Sequence, residues 1–333
     1  MDIFTLPFMQ RALLAAVFTG LAAPAIGTYL VQRRLALMGD GIGHVAVTGV
    51  ALGLLTGTSP TWTAVIVAVL GATLIEVIRE RGHTNGDVAL ALLFYGGLAG
   101  GVLLTGLGGQ SASTLQQYLF GSILTISLVD VWVTVVLAVT VVLICVGLAP
   151  QLFAVAQDQE FAKVAGLNVR VYNLLVAVLA AVTVTVAMRT VGLLLVSALM
   201  VVPVATAQQV TRSFQATLRL AMVLGVGACL GGLVVSALVS LQGPMVAPGS
   251  TIVLLALAGF LLTWPIGVLL RRRQRLLTPF ASGEPEGHEA STEEHPHEHG
   301  ENCGHRAVPH DDHLDYVHDG HRHAPHGEHY DEH

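Results

Sequence analysis

Along this chain, long apolar runs alternate with short polar stretches that hold most of the charges of the first 283 residues. A membrane-spanning helix needs about 20 mostly apolar residues. Nine runs approach or exceed that length: 11–32, 36–57, 61–78, 87–107, 126–149, 171–188, 190–210, 217–241 and 251–270. The sixth and seventh are separated by little more than Arg189-Thr190, so eight spans is the alternative count. The pattern predicts an all-α fold, a polytopic membrane helical bundle of eight or nine spans. Gly-x-x-x-Gly spacings at Gly96/Gly100, Gly97/Gly101 and Gly227/Gly231 suit close helix packing in lipid. Beyond Pro279 the chain turns polar and poor in apolar residues, which predicts disorder. The expected division is a transmembrane domain over 1–275 and a disordered acidic, His-rich tail over 276–333.

Basic residues mark cytoplasmic loops. Arg33-Arg34, Arg79 with Arg81, Lys163 with Arg170, Arg212 with Arg219, and Arg271-Arg272-Arg273 with Arg275 form five clusters. Nine alternating spans with the N-terminus outside place all five inside, and only Arg189 falls on the other side. The topology is therefore N-out and C-in, with the tail in the cytoplasm and the body in the cell's inner (cytoplasmic) membrane. Ala22-Ala23 resembles a signal-peptide cleavage site, but no basic cluster precedes the first span and Arg33-Arg34 follows it. A retained helix is expected.

Composition sharpens this picture. Hydrophobic residues make up 53% of the chain and charged residues 11%, against about 25% charged in soluble domains. The net charge of −6 conceals a split: residues 284–333 hold 14 Asp/Glu and two Arg (−12), and residues 1–283 hold 8 Asp/Glu and 14 Lys/Arg (+6). Lys163 is the only lysine and Val164 follows it, so no G-x-x-x-x-G-K-[ST] phosphate loop exists. The chain is not an ATP-hydrolysing enzyme of that kind. Cys145 and Cys229 lie in apolar runs as small hydrophobes, and Cys303 lies among the tail histidines.

Ionisable residues inside a membrane are costly and point to function. Asp40 and His44 stand four apart in the second span, on one helical face. A carboxylate and an imidazole make half of a site for a divalent transition metal, and two copies about a two-fold axis would supply four ligands. The alternative is an Asp capping a helix end beside a structural His. Glu76, one turn from Arg79, is expected to pair with it at the cytoplasmic interface. Residues 156–170 form a polar interlude that reads as a short amphipathic helix ended by Gly166. It is either an interfacial linker or a segment that docks into a soluble motor subunit. Thirteen of the fifteen histidines fall from His288 onward, in clusters such as His295-x-His297-x-His299 and His321-x-His323. Imidazole in that density suits zinc, copper or nickel.

These segments share a resemblance. Leu35 to Leu55, with Met38-Gly39-Asp40 and His44, resembles the signature of the permease subunits of zinc/manganese-type ATP-binding-cassette importers. Gly192 to Ala207 resembles that family's second hallmark, and Asp158 to Val169 its cytoplasmic coupling region; the similarity runs over roughly 5–275 and leaves out the tail. The resemblance implies a homodimeric permease bound to two separate ATPase subunits and an extracytoplasmic metal-binding protein. It implies that Asp40 and His44 form the transient metal site, and that Asp158, Glu160, Phe161 and Gly166 belong to the ATPase-coupling segment.

The expected function is ATP-driven import of a divalent transition metal, with no permanently bound cofactor. Zinc is favoured as cargo because the imidazole-rich tail suits it better than manganese. The half-site also accommodates manganese or iron, and the alternative from another transport class is a gradient-driven metal carrier. The tail residues His295, His297, His299, His321 and His323 are expected to bind the same metal.

Overall fold

A computed structural model describes residues 6–80, 86–108, 126–241, 246–277, 289–290, 303–310, 313–318, 321–326 and 329–332. Its described residues divide into two units, Met1–Leu270 and Arg271–His333. The first is helical. In chain order the helices are α1 (Pro7–Gln32), α2 (Met38–Thr56), α3 (Pro60–Glu80), α4 (Gly86–Leu107), α5 (Leu128–Gly147), α6 (Ala149–Gln157), α7 (Gln159–Val164), α8 (Val169–Val191), α9 (Leu193–Val210), α10 (Phe214–Ser240) and α11 (Pro248–Leu277). Among the described residues nine of them are long and apolar enough to cross a membrane. The count of nine rests on Gly192, which adopts φ +91 between α8 and α9, a conformation open to glycine and strained for other residues.

The first span is the most enclosed of the nine. α1 packs against α5, α8, α9 and α10. Ala12, Ala15, Ala16, Ala22, Ala23 and Ala25 give it a slim, buried surface, and small residues let helix backbones approach in lipid. Gly27 carries this furthest, because a Cβ there would strike the Met200 backbone of α9. Pro24 does not break the helix; the Thr28 hydroxyl donates to the Pro24 carbonyl at 2.8 Å. A helix so placed is part of the fold, in keeping with a retained first span. By contrast α3, α4, α5 and α11 leave large apolar side chains exposed, among them Trp62, Ile66, Leu70, Trp132 and Leu262. Such surfaces suit hydrocarbon or another helix surface.

The second unit departs from the expected disorder. Its described residues pair as a five-stranded antiparallel sheet in the order β1-β5-β4-β3-β2, with β1 Glu289–Ala290, β2 Arg306–His310, β3 His313–His318, β4 His321–His326 and β5 His329–Glu332. The cause is local. His310 pairs with His313, His318 with His321 and His326 with His329, so each connection is two residues long. The strands are held by backbone pairing, which low apolar content, the ground for expecting disorder, does not forbid.

Candidate metal site and coupling segment

Asp40 lies in the first turn of α2 and His44 one turn later. His44 Nε2 stands 3.9 Å from Asp40 Oδ2, and their side chains are 12% and 29% exposed. The pair is thus sheltered yet open to a small ion. Two neighbouring helices hold it. From α9, the Ser197 hydroxyl donates to Asp40 Oδ1 at 3.3 Å. From α4, Phe94 meets the His44 ring edge-on, with centroids 4.4 Å apart.

Glycines make this convergence possible. A Cβ at Gly43 would strike the Leu193 side chain of α9, and one at Gly39 would reach Met200 Sδ at 2.8 Å. A Cβ at Gly97 of α4 would meet the backbone of His44 and Val45 at 2.5–2.7 Å. Thr48 closes the same contact by donating to the Gly97 carbonyl at 2.5 Å. The glycines around Asp40 and His44 therefore let two helices press against the face of a third that carries this pair.

Among the described residues no group of three or more His, Cys, Asp or Glu side chains comes together. Asp40 and His44 offer one oxygen and one nitrogen, and Ser197 adds a hydroxyl oxygen beside them. Ser197 was not singled out from sequence. It lies 157 positions from Asp40, and its only signal was a hydroxyl within the apolar segment 192–207.

A separate ionic cluster joins the end of α1 to α3. Glu76 of α3 accepts from Arg79 at 2.7 Å, as its spacing suggests, and also from Arg33 at 3.0 Å. The Arg33 and Glu76 side chains are only 3% and 6% exposed. Burial draws the Arg33 guanidinium below its ordinary value, and the charge of Glu76 opposes that.

The segment expected to couple to an ATPase is a well-formed turn. The Asp158 side chain accepts from the backbone N–H groups of Glu160 and Phe161 at 2.9 and 3.0 Å, capping α7. Gly166 follows the helix at φ +84. Ala162 is buried against Val155 and Val169, and Glu160 pairs with Lys163 at 2.7 Å. Phe161 and Val164 are left 65% and 88% exposed. Of the tail residues named above, His295, His297 and His299 lie outside the described residues. His321 opens β4, and His323 is buried within it, 3% exposed.

Nine candidate spans among the described residues, packed as one helical bundle, are the architecture of a membrane permease. The sequence profile of the ABC 3 transport family matches residues 5–266. The manganese import system permease protein ScaB of Streptococcus parasanguinis is 33% identical over 271 residues, 81% of this chain and 95% of that one. The manganese transport system membrane protein MntC of Halalkalibacterium halodurans is 33% identical over 258 residues, 77% of this chain and 86% of that one. Among solved structures, a chain of PsaBC from Streptococcus pneumoniae in complex with Fab superposes with a TM-score of 0.70 at 31% identity, covering 79% of this chain and 93% of its own. The chain belongs to the ABC 3 transport family, and it is a multi-pass integral protein of the cell membrane. Membership favours the importer over a gradient-driven carrier.

Proposed function

We propose that this chain is the permease subunit of an ATP-driven importer whose cargo is manganese. The observation that carries the transport reading is the sheltered Asp40/His44 pair, its groups 3.9 Å apart in the second span. Manganese replaces zinc for two reasons. The two relatives described above, which align over most of the chain, are named for manganese. The group beside Asp40 is the Ser197 hydroxyl, and an oxygen-weighted donor set suits manganese. The zinc preference came from the tail, which lies beyond the matched residues 5–266.

In this mechanism a partner binding protein delivers the ion from outside. Asp40 and His44 hold it weakly, with the remaining ligands from water or from a second copy of the chain. A tight site would trap the ion. ATPase subunits dock on α7 through the exposed Phe161 and Val164, and closure of those subunits moves the capped turn and switches access inward. The test is uptake of radioactive manganese by cells that also make the partner ATPase and binding protein. His44→Ala and Asp40→Ala, at matched membrane levels, are expected to lose uptake at least tenfold, and Phe161→Asp to lose it with metal binding intact. Uptake that survives His44→Ala would move the pathway elsewhere. Uptake of zinc in preference to manganese would return zinc as the cargo.

A further inference from the structure

A threonine inside a helix can satisfy its hydroxyl by donating to the carbonyl one turn earlier. Thr28 donates to Pro24, Thr134 to Asp130, Thr183 to Leu179, Thr185 to Ala181 and Thr206 to Val202, all at 2.6–2.8 Å. Thr19 of α1 departs from this habit. The residue is 2% exposed, and its Oγ1 has no hydrogen-bond partner among the described residues. A buried hydroxyl left in that condition is costly. Thr19 lines a cavity of about 10 Å³ between α1, α5 and α8. Thr134 of α5 and Thr183 of α8 line the same cavity, and both are buried. The rest of the wall is apolar, with Leu137, Val141 and Val186 the larger side chains.

We infer that this cavity is a binding site for a single water molecule that joins the three helices. A buried water needs about 10–15 Å³ and two to four polar partners, so the space admits one water and no larger ligand. The donors and acceptors also balance. The Thr134 and Thr183 hydroxyl hydrogens are committed to their own helices, which leaves both oxygens as acceptors. The Thr19 hydroxyl is free to donate. The water accepts from Thr19 and gives its two hydrogens to Thr134 and Thr183, three bonds in all, the usual number for a buried water. No carboxylate lines the cavity, so a cation there would lack a counter-charge. The site shares no residue with the Asp40/His44 pair and does not depend on what the chain transports.

The direct test is a structure of the full-length protein at a resolution that shows ordered water. A density peak within hydrogen-bond distance of all three hydroxyls is expected, and a clear cavity without one would overturn the site. The thermal denaturation midpoint of the purified protein in detergent gives a second reading. Thr19→Val keeps the shape and removes the donor, so it should lower the midpoint by a few degrees. Thr19→Val/Thr183→Val should lose less than the sum of the two single changes, because either one already loosens the shared water. If Thr19→Val leaves the midpoint unchanged or raises it, the hydroxyl has no water to hold. Strictly additive losses would likewise show that nothing links the two threonines. The density is read on the wild-type protein, so it decides the matter even if a variant fails to fold.

Discussion

Glu76 carries more of the fold than its place at the end of a span suggests. It stands between two guanidinium groups, and the Arg33 side chain is even more buried than its own. Arg33 Nε has no hydrogen-bond partner among the described residues, so Glu76 is the main compensation for a buried charge. Removing one member of a buried ion pair costs about 3–5 kcal/mol, whereas replacing both with apolar groups can be neutral. Glu76→Gln is therefore expected to lower the thermal denaturation midpoint of the purified protein clearly. Arg33→Met/Glu76→Leu should recover most of the loss. If the double variant is as unstable as the single one, the cluster acts through packing and not through charge.

At the scale of elements, the packing of α4 on α2 sets the geometry of the Asp40/His44 pair. Gly96 and Gly97 are neighbours with opposite surroundings. A Cβ at Gly96 meets nothing within 4 Å, and one at Gly97 meets the His44 and Val45 backbone. Gly97→Ala should push α4 outward, weaken the Thr48 bond to the Gly97 carbonyl and shift Phe94 from the His44 ring. Manganese uptake is expected to fall at least fivefold at matched membrane levels, with Gly96→Ala close to wild type. Equal uptake by both variants would show that the pair tolerates movement of α4.

The spans were legible because a lipid-crossing helix leaves a run of about 20 apolar residues whatever it packs against. Their partners were not, since Gly96/Gly100 and Gly97/Gly101 have the same spacing and only the contacts separate them. Asp40 and His44 were legible because four-residue spacing is local, whereas Ser197 and Arg33 reach their partners from distant helices. The tail sheet was missed for a different reason. Its strands carry few apolar residues, so the alternating pattern that marks a half-buried strand is absent from the sequence.

For the whole molecule, orientation in the membrane follows from charge. The five basic clusters fall on one side of a nine-span chain, and the tail follows the last of them. The chain holds its own reporter for this. Cys145 and Cys229 are fully buried, whereas Cys303 is partly exposed. A membrane-impermeant maleimide should label the wild-type protein in inverted vesicles and leave it unlabelled in right-side-out vesicles. Cys303→Ser should abolish the labelling, because a thiol packed inside a helical bundle is beyond the reach of a polar reagent. Labelling of Cys303 from outside would require an even number of spans with the same N-terminus, or the reverse orientation of all nine. The first would break the separation of α8 and α9 at Gly192, and the second would place every basic cluster on the outer face against the charge rule. A single labelling experiment thus tests the span count and the charge asymmetry together.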